Sequence, residues 1–159
     1  MNNIENIVVE LLIKNKLKLA TAESCTGGLI AQKITSVAGA SACFDCGVVT
    51  YSNEQKQKLL GVSAETLEKF GAVSQQTALE MCKGVKALSN ADFGISVTGI
   101  AGPGGGTPEK PVGTVWIGIC GGNLHRAERF VFDGNRQQVR ESTAEMVLKI
   151  VEKEIKERC

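Results

Sequence analysis

A serine at position 24 lies in the run TAESCTGG (21–28), where a predicted strand gives way to a predicted helix. Backbone N–H groups in the first turn of a helix lack partners within the helix, so they can stabilise an oxyanion or a phosphate. Two glycines lower helix propensity there but let a substrate approach the backbone closely. Ser24 is therefore a candidate nucleophile or, alternatively, a plain helix cap. The N–H groups that would bind the substrate belong to Cys25, Thr26, Gly27 and Gly28.

A lysine at position 56 follows the next candidate strand, in the segment YSNEQK (51–56). The ends of strands are where α/β sheets place functional groups. The helix dipole disfavours a cation in the first turns of a helix, so the pKa of Lys56 is expected to be lowered and its amine to act as a base toward a serine. The alternative is a solvated surface lysine. Lys58, two positions on, points elsewhere and is the natural control.

Two later segments could form the wall of a pocket or bind an anion. The strand that ends at Thr98 and Gly99 leads into a loop rich in glycine and proline, up to position 111. This loop is neither a P-loop nor a dinucleotide fingerprint, because it has no Gly-Lys-Ser/Thr and its glycine spacing is wrong. Arg136 and Arg140 share one face at the start of the last predicted helix and form a candidate anion site. A flexible connector and solvated arginines are the alternatives.

Composition argues against several other chemistries. The only histidine is His125, beside a predicted hairpin turn, so Ser–His and Cys–His catalysis are not supported. Metal ligands at useful spacing are equally scarce, so neither a metal nor a cofactor is predicted. The six cysteines are interpreted as structural thiols, with a redox or metal role left open for the Cys43 and Cys46 pair.

Charge and hydropathy limit the partners and the location. The net charge is +1, from 18 basic and 17 acidic residues, which provides no concentrated basic face for nucleic acid. No apolar run approaches the ~20 residues that a membrane span needs, and no signal peptide is recognised. A cytoplasmic protein without nucleic-acid or membrane partners is predicted.

The elements that must position these groups alternate along the chain. Apolar spacing predicts helices over 4–15, from Ser24 to 37, over 53–60 and 63–70, around 78–88 and from about 135. Strands are predicted over 17–22, 48–51, 93–98, 112–120 and 126–132, the last two joined by a hairpin turn. We therefore expect a single domain over residues 1–159, an α/β fold built as a three-layer α/β/α sandwich whose mixed sheet ends in an antiparallel hairpin.

Five blocks in one order resemble the CinA C-terminal domain, the nicotinamide-nucleotide amidohydrolase family. They are AESCTGG (22–28), GVVTYSNEQK (47–56), FGAVSQQTA (70–78), SVTGIAGPGGGTPEKPVGTVW (96–116) and FDGNRQQVR (132–140). The resemblance implies hydrolysis of the carboxamide of nicotinamide mononucleotide to nicotinic acid mononucleotide and ammonia, without a cofactor. It also implies a homodimer.

The same resemblance assigns roles to individual residues. It implies Ser24 as the nucleophile, Lys56 as the general base and Tyr51 as a member of the same site. The pocket loop would begin at Thr98 and Gly99, and the anionic end of the substrate would be read at Arg136 and Arg140. The alternative is a non-catalytic module for nucleotide binding or a competence-related interaction.

Overall fold

Five strands form one sheet in the computed structural model, which describes residues 2–158. The strands are β1 (Leu19–Glu23), β2 (Phe44–Val49), β3 (Phe93–Gly99), β4 (Thr114–Gly121) and β5 (Leu124–Val131). Their order in the sheet is β2-β1-β3-β4-β5. β1 pairs in parallel with β2 and β3, whereas β4 is antiparallel to both β3 and β5. The predicted mixed sheet with a terminal antiparallel hairpin is confirmed.

Helices cover both faces of this sheet. They are α1 (Ile4–Lys14), α2 (Leu29–Thr35), α3 (Asn53–Leu60), α4 (Ala64–Phe70), α5 (Gln75–Ser89) and α6 (Arg136–Arg158), with a short 3-10 helix at Ala40–Ala42. One buried apolar cluster joins α1, α2 and α6 to the sheet, and a second lies between β1 and α3, α4 and α5. The predicted three-layer sandwich is therefore confirmed. No helix in the described part of the chain is long and apolar enough to cross a membrane.

Small residues let α5 lie directly on the sheet. A Cβ atom added at Gly94 would collide with the carbonyl oxygen of Cys82, and one at Gly118 would lie 2.6 Å from that of Ala78. The Ser96 hydroxyl instead donates a hydrogen bond of 2.6 Å to the Ala78 carbonyl. Because no larger side chain separates them, the backbone of α5 touches β3 and β4.

The helix predicted from Ser24 begins later than expected. Residues 24–28 form turns, and α2 begins only at Leu29. The reason is the backbone of Gly27 and Gly28, whose φ angles of +61° and +105° are left-handed and open to glycine at low cost. The strand predicted over 48–51 is displaced toward the N-terminus, because β2 begins at Phe44 and ends at Val49.

Candidate active site

The carboxyl ends of the three parallel strands meet at one edge of the sheet. Glu23, the last residue of β1, is in register with Val49 of β2 and with Val97 of β3. The residues just beyond these positions therefore come together although they are far apart in sequence. They are Ser24, Thr50 and Tyr51, and Thr98 and Gly99.

A cavity of about 300 Å³ opens at this edge, within the size range of small-molecule sites. It is lined by seven residues that the sequence predicted, namely Ser24, Cys25, Tyr51, Lys56, Thr98, Gly99 and Arg136. The sequence did not single out Asn53, Ala72, Val73, Ile100, Ala101, Gly102, Gly104 and Gly105, which also line it. Most of these belong to the blocks at 70–78 and 96–116, so the resemblance pointed to their segments but not to their side chains.

Ser24 and Lys56 are in hydrogen-bond contact. Lys56 Nζ lies 3.0 Å from Ser24 Oγ and donates a second hydrogen bond of 2.8 Å to the Thr50 carbonyl. Lys56 is only 1% exposed, so it is not the solvated surface lysine that the sequence left open. Its helix, α3, is capped by the Ser52 hydroxyl, which accepts from a backbone N–H in the first turn. Lys58, in contrast, is exposed.

Burial sets the protonation of the two groups beside Ser24. Burial lowers the pKa of Lys56, and a smaller effect of Cys25 opposes it. Loss of solvation is the main cause of this lowered pKa. Burial also raises the pKa of the Cys25 thiol to about 12, so Cys25 stays a neutral thiol at physiological pH. The arrangement therefore favours a neutral amine that accepts the proton of a serine hydroxyl.

A buried carboxylate orders the turn after Ser24. Glu23 is 1% exposed, and its Oε1 accepts hydrogen bonds from Thr26 Oγ1 (2.7 Å) and Ile30 N (2.9 Å). Its Oε2 accepts from Ala31 N at 3.0 Å. Glu23 thus satisfies first-turn N–H groups of α2, those of Ile30 and Ala31, which lie beyond the four N–H groups that the sequence offered to a substrate. An anion cannot use the N–H groups of Ile30 and Ala31 without displacing this carboxylate.

The N–H groups of the turn itself are only partly free. The Gly27 N–H donates to the Ser24 carbonyl at 3.0 Å. The N–H groups of Cys25 and Thr26 meet no protein acceptor within residues 2–158. Of these residues, Cys25 lines the cavity, whereas Thr26, Gly27 and Gly28 do not. Among the residues of this turn, Cys25 therefore supplies the candidate backbone donor for a ligand beside Ser24.

The two arginines share a helix face but have different neighbours. Arg136 lines the cavity and donates hydrogen bonds to the Gly102 carbonyl (2.8 Å) and the Tyr51 hydroxyl (2.9 Å). Arg140 is not a lining residue; its guanidinium donates to the Thr26 carbonyl at 2.9 Å. Arg136 is thus placed to meet a ligand, whereas Arg140 supports the turn that follows Ser24.

Thr98 and Gly99 form another part of the cavity wall. Thr98 Oγ1 donates a 2.7 Å hydrogen bond to the Ala72 carbonyl, which fixes the segment before α5. A Cβ atom at Gly99 would lie 2.8 Å from the Thr114 carbonyl, so a larger residue would push β4 away. His125 does not line this cavity. Across residues 2–158, no three His, Cys, Asp or Glu side chains gather as a metal site would require.

Comparison with known proteins agrees on one family. The family model of the CinA C-terminal domain matches residues 1–155. The chain is 55% identical over 148 residues to a competence-damage inducible protein of Thermoanaerobacter sp. (strain X514), covering 93% of this chain and 36% of that protein. It is 50% identical over 149 residues to a CinA-like protein of Kosmotoga olearia, covering 94% and 36%. The chain thus spans about a third of these relatives.

Solved structures share the whole fold. A CinA superfamily protein from Klebsiella pneumoniae 700603 superposes with a TM-score of 0.93 at 34% identity, over 98% of this chain and 99% of that chain. The competence/damage inducible protein CihA from Agrobacterium tumefaciens gives a TM-score of 0.88 at 44% identity, over 95% and 94%. Both matches cover nearly the whole chain.

Proposed function

Because the chain belongs to the CinA C-terminal domain family, we propose that it hydrolyses the carboxamide of nicotinamide mononucleotide to nicotinic acid mononucleotide and ammonia. The observation that carries the proposal is the 3.0 Å contact between Ser24 Oγ and the buried Lys56 Nζ. Burial of an amine is costly unless the amine is neutral or well paired. A lysine held in this way next to a serine is the arrangement that nucleophilic amide hydrolysis needs.

Acylation begins with proton transfer within this pair. Neutral Lys56 accepts the Ser24 proton as Oγ attacks the carboxamide carbon. The Thr50 carbonyl, 2.8 Å from Nζ, keeps the amine aimed during the transfer. The Cys25 N–H is the candidate donor to stabilise the oxyanion that forms.

Collapse of the tetrahedral intermediate breaks the C–N bond. Protonated Lys56 returns its proton to the departing nitrogen, and ammonia leaves. Water then attacks the acyl-enzyme with Lys56 again as the base, and this step releases the carboxylate product and the Ser24 hydroxyl. The cycle uses only side-chain and backbone groups of the chain.

The substrate's phosphate is proposed to lie toward Arg136. The Arg136 guanidinium already donates hydrogen bonds to Tyr51 and Gly102 at the cavity wall, so it is held in one orientation. A planar guanidinium suits two oxygens of a phosphate. Arg140 is assigned a supporting role, because its hydrogen bond reaches the Thr26 carbonyl rather than the cavity.

The direct test is ammonia release from nicotinamide mononucleotide as the sole substrate. We expect one ammonia for each nicotinic acid mononucleotide formed. Saturable binding of the same nucleotide with no product formed would instead favour a non-catalytic nucleotide-binding module. If the nucleotide is neither bound nor hydrolysed, the result favours a competence-related interaction role. Competence is the process that the names of the relatives mention.

The pH dependence of kcat is expected to follow Lys56. The base must be neutral, and burial lowers the Lys56 pKa below the ~10.4 of a free lysine. At saturating nucleotide, kcat should therefore fall as the pH drops through the lowered pKa, and the plateau should begin below pH ~10. Thermal melts over the same range serve as the control for unfolding. A kcat that stays level or rises as the solution is acidified would contradict Lys56 as the base.

Arg136→Ala is expected to weaken binding of the nucleotide selectively. Loss of a hydrogen-bonded charge pair should raise KM for nicotinamide mononucleotide about 10- to 100-fold. The KM for nicotinamide riboside, which lacks the phosphate, should change much less. Arg140→Ala is the matched control. It should alter the kinetics of both substrates to the same extent, mainly through kcat. Equal increases in KM for both substrates in Arg136→Ala would remove the phosphate assignment.

A further inference from the structure

Two cysteines meet between α5 and β4, away from the cavity that holds Ser24. Cys82 is 0% exposed and Cys120 is 5% exposed. The two thiols are close enough that each shifts the pKa of the other, and the Cys82 thiol donates a 3.3 Å hydrogen bond to the Leu79 carbonyl. Cys120 is in register with Gly94, near the start of β3, so the pair lies toward the opposite edge of the sheet from Gly99.

The contact follows from the close approach of α5 to the sheet. A Cβ atom at Gly94 would collide with the Cys82 carbonyl, and Gly94 pairs directly with Cys120 across the two strands. A disulfide needs Cβ atoms roughly 3.5–4.5 Å apart, closer than most helix–sheet packing allows. The glycine removes the side chain that would otherwise keep the two thiols apart.

The surroundings of Cys120 favour a reactive thiolate. A cavity of about 250 Å³ opens over Cys120 and is also lined by Lys83, Lys86 and His125. His125 is the cross-strand partner of Cys120 and is exposed. The adjacent Cys82 thiol lowers the pKa of Cys120 most strongly, and His125 and Lys86 lower it further, against the opposing effect of burial. The same neighbour effect raises the pKa of Cys82, so Cys120 is the thiol of the pair that favours the thiolate.

We propose that Cys120 and Cys82 form a hydroperoxide-reactive thiol pair that closes reversibly to a disulfide between β4 and α5. The Cys120 thiolate attacks one oxygen of hydrogen peroxide, the O–O bond breaks, and Cys120 becomes a sulfenic acid; the departing hydroxide takes a proton from solvent and leaves as water. The Cys82 sulfur then attacks the sulfenic sulfur; the S–S bond forms, the S–O bond breaks and a second water leaves. The peroxide is the two-electron oxidant, and a dithiol reductant reverses the product by exchange.

The other cysteines among residues 2–158 are less suited to this reaction. Burial raises the pKa of Cys43 and raises that of Cys25 to about 12, so both stay protonated and poorly nucleophilic. Cys46 is half-buried and therefore reports whether an oxidant has reached the protein. The reactive pair is thus not the C-x-x-C pair at 43 and 46 that the sequence offered.

The test is peptide mapping of the reduced protein after treatment with equimolar hydrogen peroxide, with free thiols alkylated before digestion. We expect a linked peptide pair that contains Cys82 and Cys120, lighter by two hydrogen atoms than its parts, and lost on treatment with dithiothreitol. Oxidised Cys46 with freely alkylated Cys82 and Cys120 would overturn the proposal. So would a sulfinic acid at Cys120 without any cross-link.

Two variants separate the roles of the thiols. Cys82→Ala should leave a sulfenic acid at Cys120 that dimedone traps, because the resolving thiol is gone. Cys120→Ala should give neither a dimedone adduct nor a cross-link at Cys82. A dimedone adduct at Cys82 in Cys120→Ala would show that Cys82 is the attacking thiol and would contradict the assignment. Both replacements remove one sulfur atom and leave Ser24 and its neighbours untouched.

Discussion

Ser24→Ala is expected to lower kcat for nicotinamide mononucleotide by roughly 10⁴-fold or more, with nucleotide binding largely retained. The variant removes the attacking oxygen and leaves the other cavity-lining residues in place. Ser24 Oγ accepts one hydrogen bond, from Lys56 Nζ. Removing this oxygen therefore removes one hydrogen bond of the amine and leaves no large cavity. The measurement is single-turnover kinetics together with calorimetric binding of the nucleotide.

Two companion variants sharpen this result. Ser24→Cys keeps a nucleophile of altered size and pKa, so mass spectrometry of the quenched protein should trap a slow thioester at position 24. Cys25→Ala should retain most activity, since its thiol is buried and protonated. Near-normal turnover by Ser24→Ala would exclude the acyl-enzyme. A water activated directly by Lys56 would then be the better mechanism.

Lys56→Met is expected to abolish turnover without destabilising the fold. Methionine fills most of the buried space that the lysine stem occupies and has no amine to accept the Ser24 proton. Removing a desolvated amine from a site that is 1% exposed should leave Tm unchanged or raise it. Activity and Tm measured on one preparation therefore separate a chemical role from a structural one.

Lys58→Ala is the matched control for this lysine. Lys58 is on the same helix but exposed, so its loss should change neither kcat nor Tm measurably. A small alkylamine should partly restore turnover to Lys56→Ala, because that variant leaves space for an amine beside Ser24. Equal loss of activity in Lys58→Ala and Lys56→Met would point to an effect on α3 as a whole and would argue against a general base at position 56.

Local patterns were enough to predict the fold class. Strand and helix periodicities gave all five strands within a few residues, and the hairpin turn predicted the antiparallel β4 and β5. These features depend on neighbours in sequence, such as side-chain alternation and turn residues, so one chain suffices to reveal them. The helix expected from Ser24 begins only at Leu29 because two glycines take a left-handed backbone, which propensity does not specify.

Residue types alone nominated Ser24 and Lys56 but could not pair them. Their contact depends on the parallel order β2-β1-β3, which brings the end of β1 beside the residues after β2. The burial that lowers the Lys56 pKa is likewise a property of the packed layers. Long-range contacts of this kind leave no periodic signal in a single sequence.

The chain by itself determined which groups are available: one histidine, a serine before two glycines, a lysine near a strand end, and two arginines one helical turn apart. Only the tertiary structure decided how they are used. It directed Arg136 to the cavity and Arg140 to the Thr26 carbonyl, and it gave the first-turn N–H groups of α2 to Glu23. The physical reason is that solvation, charge and hydrogen-bond geometry depend on distances between segments, and those distances exist only once the layers have packed.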